Sequence, residues 1–274
     1  MKKIKIFDLQ EQYKTISKEV NKNVLDILSS GQYILGGNLL KLEEKFANHI
    51  GTKYAIGCNS GTDALLISLR AMNIGPGDEV ITSPFTYFAT AEVIALTGAR
   101  PVFADINPHT FNINHKLIEK LITKKTKAVI PVHLYGQACE IIKIRKICRK
   151  YNLTLIEDCA QSFGAKMNNQ YTGTFGQFGC FSFFPTKNLG CAGDGGMIVT
   201  NSLQKAKILK KLRNHGGLAR NIHEYIGYNS RLDEIQASIL LTKLKIINSI
   251  NKKRIGIAKK YKKMINNKNI RLPY

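Results

Sequence analysis

Short apolar runs alternate with longer amphipathic segments along most of this chain. Seven runs are rich in β-branched and aromatic residues and have the length of strands. Most segments between them repeat apolar residues every three or four positions, which is typical of helices. The predicted strands are YAIG (54–57), EVIT (79–82), PVFA (101–104), KAVIPV (127–132), LTLIED (153–158), GCFSFF (179–184) and GMIVT (196–200). The predicted helices span 62–72, 86–98, 115–123 and 140–151.

This alternation predicts the fold class. Strands separated by helices favour a largely parallel sheet that is covered on both faces. A glycine-rich turn joins the last two predicted strands, so we expect one of them to be antiparallel. From Asp233 to about Lys262 the pattern is helical again and predicts one long helix. The sequence therefore predicts an α/β fold with a seven-stranded, mostly parallel sheet.

Composition narrows the class of protein. The 274 residues are 44% hydrophobic, which is enough for one large core. No apolar run is long enough for a membrane span, and MKKIKIFDLQEQYK lacks the apolar stretch of a secretory signal. None of the 6 cysteines forms a C-x-x-C pair, so we expect reduced thiols and no metal site. These features predict a cytoplasmic protein.

The net charge of +22 raises a nucleic-acid hypothesis. Most of the basic residues are lysines, whereas base reading and phosphate clamping favour arginine. Basic patches interleaved with aromatic residues are also absent from the sequence. The charge therefore fits the attraction of an anionic small substrate better than the binding of nucleic acid.

The stretch CNSGTDALLISL (58–69) is a candidate phosphate site. It reads as a strand exit, a turn of small polar residues and a helix. Ser60, Gly61 and Thr62 would offer free backbone N–H groups at the helix N-terminus. The alternative is an ordinary helix cap with Asp63 in the first turn.

The stretch LIEDCAQS (155–162) carries two carboxylates at the carboxyl end of a predicted strand. Ligands of open α/β sheets bind at such ends. Asp158 would pair with a cation there, and a carboxylate next to a pyridine nitrogen keeps that nitrogen protonated. Because Glu157 precedes it on a strand, only one of the two should face the site. The alternative is a helix cap after the strand.

The stretch FSFFPTKNLGCAGDGG (181–196) places one lysine among aromatic residues and glycines. On a strand, Phe181 and Phe183 face one side while Ser182 and Phe184 face the other. Lys187 would follow in a partly apolar setting, where desolvation lowers the pKa of an amine and makes it nucleophilic. A surface lysine is the alternative. One ligand that needs an amine, an acid and a phosphate site would account for all three stretches.

These residues resemble a known family. The chain is similar to the DegT/DnrJ/EryC1/StrS family, which are sugar aminotransferases that use pyridoxal 5'-phosphate (PLP). The resemblance implies the aspartate-aminotransferase-like fold (PLP fold type I), a three-layer α/β/α sandwich. The matching stretches are FDLQEQY, GQYILGG, GTDAL, GPGDEVITSPFTYFATAEVI, PVHLYGQ, IEDCAQSFGA, FSFFPTKNLG, GDGG and NSRLDEIQASILLTKL.

The resemblance also implies a role for each site residue. Lys187 would be the catalytic lysine, which binds the cofactor covalently and moves the proton. Asp158 would pair with the ring nitrogen. The other implied roles are phosphate binding by Gly61, Thr62 and Ser182, ring stacking by Tyr87, a place beside the ring for Gln161, pocket walls for His133 and Tyr135, and contact with the neighbouring subunit's phosphate by Asn229. A homodimer with shared active sites follows from the role implied for Asn229.

The substrate implied by the resemblance is a nucleotide-linked keto sugar, with glutamate as amine donor. The chain looks most similar to enzymes that aminate UDP-2-acetamido-2-deoxy-3-oxo-glucuronate for bacterial O-antigen and lipopolysaccharide. A 4-keto sugar is the alternative, although that branch more often has histidine where this chain has Phe184. Family dehydratases replace the lysine with histidine, so Lys187 argues against them.

The resemblance predicts two domains. Residues 1–250 would form the PLP-binding large domain with an N-terminal helical segment. Residues 251–274 would begin a C-terminal small domain that is largely missing from this sequence. A further alternative is therefore a shortened, inactive family member that acts as a regulator or partner subunit.

Overall fold

The computed structural model describes residues 6–219 and 221–273. Its centre is a seven-stranded sheet, and a separate short hairpin is formed by β6 and β7. The strands are β1 (Tyr54–Cys58), β2 (Glu79–Thr82), β3 (Arg100–Phe103), β4 (Thr126–Ile130), β5 (Thr154–Asp158), β6 (Lys166–Met167), β7 (Gln170–Tyr171), β8 (Phe178–Ser182) and β9 (Gly196–Thr200). The helices are α1 (Leu9–Lys14), α2 (Ser17–Ser30), α3 (Gly37–Ile50), α4 (Gly61–Arg70), α5 (Ala89–Leu96), α6 (His115–Leu121), α7 (Ile141–Lys150), α8 (Leu203–Leu212), α9 (Glu234–Leu244) and α10 (Ile247–Met264).

The sheet confirms the predicted topology. Its strand order is β1-β9-β8-β5-β4-β2-β3. From β4 the chain adds β5, β8 and β9 successively in one direction across the sheet. β9 runs antiparallel to both of its neighbours, β1 and β8, while the remaining pairs are parallel. All seven predicted strands are present in the sheet, and the predicted single antiparallel strand is confirmed.

Alternation of side chains along the strands produces three layers. On β9, Ile198 packs under α4, α5 and α8, whereas Met197 and Val199 pack under α3 and α9 on the opposite face. α6 and α7 cover the other half of that second face, against Val129 and Leu155. Since both faces are covered by helices, the strands read as nearly continuous apolar runs.

One prediction for the helical segments is corrected, and one helix was missed. The helix predicted from Asp233 to about Lys262 is interrupted at Lys245 and Ile246, so that α9 and α10 are separate. Ile246 packs against Ile16 and Val20 at this break. The lysine-rich helix α8 was not predicted, because its lysines hide the apolar spacing of its three buried residues, Ala206, Leu209 and Leu212.

The helix α10 spans the predicted boundary between the two domains. It begins at Ile247 and ends at Met264, so the boundary predicted between residues 250 and 251 lies inside one continuous helix. Ile247 at its start is buried in the same cluster as Phe181 and Phe183 of the site-bearing segment. The division into two domains stays a prediction.

Candidate active site

The carboxyl ends of β5 and β8 bring the predicted acid and lysine to one edge of the sheet. These two strands are parallel neighbours, and Asp158 pairs in register with Cys180. Asp158 is the last residue of β5, and Lys187 follows β8 by five positions. Their closeness is therefore a consequence of strand pairing, at the place where open α/β sheets bind ligands.

A cavity of about 480 Å³ lies at this edge. Seven of the eight predicted cofactor-binding residues line it; Asn229 does not. The predicted residues in its wall are Gly61, Thr62, Tyr87, Asp158, Gln161, Ser182 and Lys187. The cavity is also lined by Ser60, Thr90, Phe184 and Asp194.

Asp158 is almost completely buried at the floor of this cavity. Its Oδ2 accepts a hydrogen bond from Thr90 Oγ1 at 2.9 Å, and its Oδ1 accepts one from the Ala160 N–H at 3.1 Å. Burial raises the pKa of Asp158, while these two donors and the nearby Lys187 ammonium act in the opposite direction. A cationic ring nitrogen would favour the carboxylate form further.

Lys187 is half-buried in the loop that leaves β8. Burial lowers the pKa of its amine, and the Asp158 carboxylate partly offsets that effect. The alternation predicted for this stretch is confirmed, because Phe181 and Phe183 are buried while Ser182 and Phe184 line the cavity. An amine with a lowered pKa in a ligand-sized cavity is suited to nucleophilic chemistry.

The N-terminus of α4 opens into the same cavity. Ser60 caps the helix by accepting a hydrogen bond from the Asp63 N–H at 3.0 Å. Within the described part of the chain, the N–H groups of Gly61 and Thr62 have no acceptor. A Cβ at Gly61 would lie 2.6 Å from Ser182 Cβ, so only glycine fits there. The motif is therefore both an ordinary helix cap and a candidate phosphate site, since the capped helix also presents free N–H donors to an anion.

Tyr87 and Gln161 occupy the rim of the cavity. The Tyr87 side chain is 74% exposed, so its ring face is free to stack on a bound ring. Gln161 Oε1 accepts a hydrogen bond from the Tyr135 N–H at 2.8 Å. Tyr135 itself lines a second cavity of about 340 Å³, next to the first, rather than the cavity of Lys187.

Glu157 points away from Asp158, as the strand alternation predicted. It is completely buried, and its oxygens accept hydrogen bonds from the N–H groups of Gly173, Phe175 and Gly176 at 2.7–2.8 Å. His133 Nε2 lies 3.0 Å from Glu157 Oε2. This pair joins β4 and β5 to the turn before β8.

The prediction that His133 forms a pocket wall is wrong. Its side chain is completely buried and is not part of the cavity lining. The Cys139 N–H donates to His133 Nδ1 at 3.2 Å. Because a backbone N–H can only donate, Nδ1 accepts, and the ring proton lies on Nε2 towards Glu157. His133 is therefore a buried structural group beneath the site, and its ring lies with the ligand-type atoms of Glu157 and Cys159, all within 4.8 Å of one another.

Asn229 lies outside the cavity of its own chain. It is exposed and pairs with Asn214 in an isolated antiparallel bridge. The next residue, Ser230, donates to Asp63 Oδ2 at 2.6 Å and accepts from the Asn59 N–H at 3.1 Å. This arrangement anchors the Asn229 segment at the start of α4, while its predicted reach into a neighbouring subunit stays a prediction.

Thr90 is a site residue that the sequence reasoning missed. It lies three positions after Tyr87, whose carbonyl accepts from the Thr90 N–H at 3.3 Å at the start of α5, and both side chains line the cavity. The signal was present in FTYFATA, where a hydroxyl lies three positions after the tyrosine. Its bond to the buried Asp158 depends on the tertiary placement of the start of α5.

The residues present fit PLP. The cavity combines an amine, a buried carboxylate and a helix N-terminus with two unpaired N–H groups beside a glycine that no larger residue can replace. The amine matches the aldehyde of PLP, the carboxylate matches its pyridine nitrogen, and the two N–H groups match its phosphate. The fold and the site together define a PLP-dependent enzyme of the aspartate-aminotransferase-like class.

Comparison with known proteins agrees with this class. The model of the DegT/DnrJ/EryC1/StrS aminotransferase family matches residues 14–273. The chain belongs to this family, and it is a PLP-dependent aminotransferase of the sugar-nucleotide class.

Two curated relatives and one solved structure illustrate the similarity. The UDP-2-acetamido-2-deoxy-3-oxo-D-glucuronate aminotransferase of Pseudomonas aeruginosa is 46% identical over 94% of this chain and 72% of its own length. A "Pleiotropic regulatory protein" of Geobacillus stearothermophilus is 45% identical over 96% of this chain and 70% of its own length. The crystal structure of ntda from Bacillus subtilis with bound cofactor PMP has a TM-score of 0.90 and 32% identity, covering 95% of this chain and 60% of that one.

The helices and the cysteines bear on the sequence predictions about membrane spans and thiols. Within residues 6–219 and 221–273, none of the helices combines the length and apolar character that a membrane span requires. All 6 cysteines are buried and unpaired with one another. Burial raises the pKa of the Cys159 thiol to about 11, so this thiol stays protonated beside the site.

Proposed function

We propose that this chain transfers an amino group from glutamate to C3 of a nucleotide-linked keto sugar. The observation that carries the proposal is the single cavity shared by Lys187, Asp158 and the open N-terminus of α4. Support for a 3-keto sugar comes from the Pseudomonas aeruginosa relative, which is named as a 3-oxo-glucuronate aminotransferase. Phe184 in the cavity wall adds to it, because the resemblance associates the 4-keto branch with histidine at this position.

Each residue of the cavity has a part in the proposed reaction. PLP, when bound, supplies the electron sink that stabilises negative charge at the carbon losing its proton. Gly61, Thr62 and Ser182 bind the phosphate, and Asp158 holds a proton on the ring nitrogen.

Lys187 has the central part. It would hold the cofactor through its amine and would move the proton at the reacting carbon as general acid and base. Tyr87 stacks on the ring and Gln161 borders it. Thr90 and the Ala160 N–H hold the Asp158 carboxylate in place for this chemistry.

The proposal also includes the oligomeric state of the protein and the place where it acts. Asn229 would contact the phosphate in a neighbouring subunit, so that a homodimer would contain two shared sites. The protein would act in the cytoplasm, and its product would enter surface polysaccharide such as O-antigen. The positive net charge of +22 favours the approach of a substrate that carries a diphosphate.

A regulatory role is the second candidate. It is favoured by the name of the Geobacillus stearothermophilus relative, which is a regulatory protein at a similar level of identity. The amine, the carboxylate and the helix N-terminus that share the cavity favour the enzyme.

Coupled assays distinguish these functions. The protein is supplied with PLP, glutamate and each of four acceptors, namely UDP- and dTDP-linked 3-keto and 4-keto sugars. We expect turnover with a 3-keto sugar, and loss of that turnover in Lys187→Ala. Faster turnover of the 4-keto sugars would contradict the choice of C3. A wild-type protein that binds PLP without turnover of any acceptor would favour the regulator.

A further inference from the structure

Asn251 lies in the first turns of α10 and contacts two different loops with its amide group. Its Nδ2 donates a hydrogen bond to the Phe163 carbonyl oxygen at 3.2 Å. Its Oδ1 accepts one from Asn188 Nδ2 at 2.8 Å. Both ends of the amide are therefore used, one for each loop.

The two loops are those that carry the proposed chemistry. Phe163 belongs to the segment after β5 that begins at Asp158 and includes Gln161. Asn188 follows Lys187 directly, in a loop that starts with the hydrogen bond from the Lys187 N–H to the Phe184 carbonyl. Asn251 thus connects the acid side of the site with the amine side.

The backbone around Asn251 is shaped to admit it. Gly164 has φ +92°, and a Cβ at this position would lie 2.5 Å from Asn251 Nδ2. The positive φ favours glycine at this position. The absence of a Cβ also leaves the space that Asn251 Nδ2 occupies while it donates to the adjacent Phe163 carbonyl.

Asn251 acts from outside the cofactor cavity. It borders the second cavity, of about 340 Å³, together with Asn188 and Gln161, and it does not line the cavity of Lys187. It therefore touches neither the cofactor nor the reacting atoms.

We propose that Asn251 is a positioning residue that holds the Lys187 loop against the Asp158–Gly164 loop. This inference rests on the proposed function only for its effect on PLP. A consequence is that the position of α10 determines how well Lys187 and Asp158 face each other. The N-terminal turn of α10 thereby belongs to the active-site scaffold.

Loss of the Asn251 amide should loosen the Lys187 loop and admit water to the amine. Burial lowers the pKa of Lys187. The charged groups that line a cavity with it are Asp158 and Asp194 on one side, and Asp8, Lys253 and Arg254 in another cavity of about 810 Å³ on the other. A looser loop should therefore raise the pKa of Lys187 towards its ordinary value. Two hydrogen bonds of ordinary strength correspond to a change of roughly tenfold in an equilibrium that depends on them.

The structure offers a matched control on the same helix. Asn248 is exposed and lies three residues before Asn251, and no hydrogen bond of its side chain occurs among the described residues. Asn248→Ala and Asn251→Ala are the same chemical change, at the same helix and with the same change in helix propensity. Asn188→Ala removes the bond to Asn251 from the opposite side.

Two readouts test the inference. The first is the pKa of Lys187 in the cofactor-free protein, followed by NMR after reductive ¹³C-methylation and assigned by its loss in Lys187→Arg. The second is the affinity for PLP from absorbance titration. Far-UV circular dichroism and denaturant midpoints establish that each variant is folded.

We expect Asn251→Ala, which removes both bonds, to raise the pKa of Lys187 and to weaken PLP binding roughly tenfold. Asn188→Ala removes one of the two bonds and should weaken PLP binding by about threefold, with no change in Asn248→Ala. The double variant should lose little more than Asn251→Ala alone, because that variant already lacks the bond to Asn188. Equal values for Asn251→Ala and Asn248→Ala, or fully additive losses, would overturn the inference. If wild-type protein binds no PLP, the proposed function fails, while the NMR titration still decides the role of Asn251.

Discussion

The two halves of the site are held by different kinds of interaction. Asp158 is the last residue of β5. Its carbonyl accepts a hydrogen bond from the His133 N–H, and its own N–H donates to the Pro131 carbonyl. Beneath it, Glu157 gathers three backbone N–H groups and His133 in a completely buried network. The acid therefore has the rigidity of the sheet.

Lys187 lies instead on a loop that side chains of the two last helices hold in place. Gln236 of α9 accepts from the Ala192 N–H at 2.8 Å, and the buried Lys243 donates to the Gly190 carbonyl at 2.6 Å. Asn251 of α10 adds the bond to Asn188. The position of Asp158 therefore depends on secondary structure, whereas the position of Lys187 depends on tertiary contacts with α9 and α10.

Removal of the Asp158 charge should have the largest effect and should change chemistry rather than folding. Asp158→Asn preserves shape, and it can still pair with Thr90 and the Ala160 N–H. We expect turnover to fall on the order of a thousandfold, because the neutral amide no longer keeps the ring nitrogen protonated. The measurement is kcat with PLP, and Asp105→Asn, an exposed carboxylate remote from the cavity, serves as control. Turnover close to that of the control would refute the role of Asp158.

Glu157→Gln should instead damage the scaffold on the sheet side. The new amide N–H₂ would face the Gly173 N–H or the His133 ring N–H, so that donors oppose donors in a buried place. We expect a loss of about 3 kcal/mol in the free energy of unfolding, measured with urea. The control is Glu140, which forms an exposed ion pair with Lys143. Glu140→Gln should change the free energy of unfolding by less than about 0.5 kcal/mol. Similar values for both variants would mean that the buried network does not stabilise the acid side.

Gly61→Ala tests the contact between the phosphate site and the lysine side. Its Cβ would lie 2.6 Å from Ser182 Cβ, so one of the two segments must shift. We expect about 1–3 kcal/mol of destabilisation and weaker PLP binding. Gly37→Ala is the matched control, since Gly37 also begins a helix and a Cβ there meets nothing within 4 Å. Equal PLP affinity in both variants would remove the phosphate role from Gly61.

The smallest expected effect is a dependence of stability on pH. Burial lowers the pKa of Lys187 from its ordinary value of 10.5, so the folded protein binds this proton more weakly than the unfolded chain. The stability of the wild type relative to Lys187→Met should therefore increase as pH rises from the lowered pKa towards 10.5. Urea unfolding of both proteins across this interval measures it. A relative stability that falls with rising pH would show that Lys187 has a raised pKa instead.

The difference between the two halves also explains how far the sequence alone could predict them. Strand periodicity located all seven strands of the sheet, and the alternation of Glu157 with Asp158 and of Phe183 with Phe184 followed from it. The lysine, the acid and the helix N-terminus were each visible as local patterns. The resemblance then named the ligand that joins them.

Contacts across the chain were not visible in the same way. Thr90 reaches Asp158 only because α5 packs near the end of β5, and Asn251 meets Phe163 and Asn188 only after α10 is folded back onto both loops. His133 was misplaced because the resemblance implied a pocket-wall residue, while the burial of its ring depends on Glu157 and Cys139. Local pattern carries no information about such pairings until the tertiary structure is known.

The central claim is that Lys187 is the amine that binds PLP in the cavity it shares with Asp158. The most direct measurement is to add PLP, reduce with borohydride, digest the protein and locate the phosphopyridoxyl group by mass spectrometry. We predict one dominant modified peptide that contains Lys187, together with loss of the visible absorbance band on reduction. Modification spread over exposed lysines, unchanged in Lys187→Ala, would contradict the account.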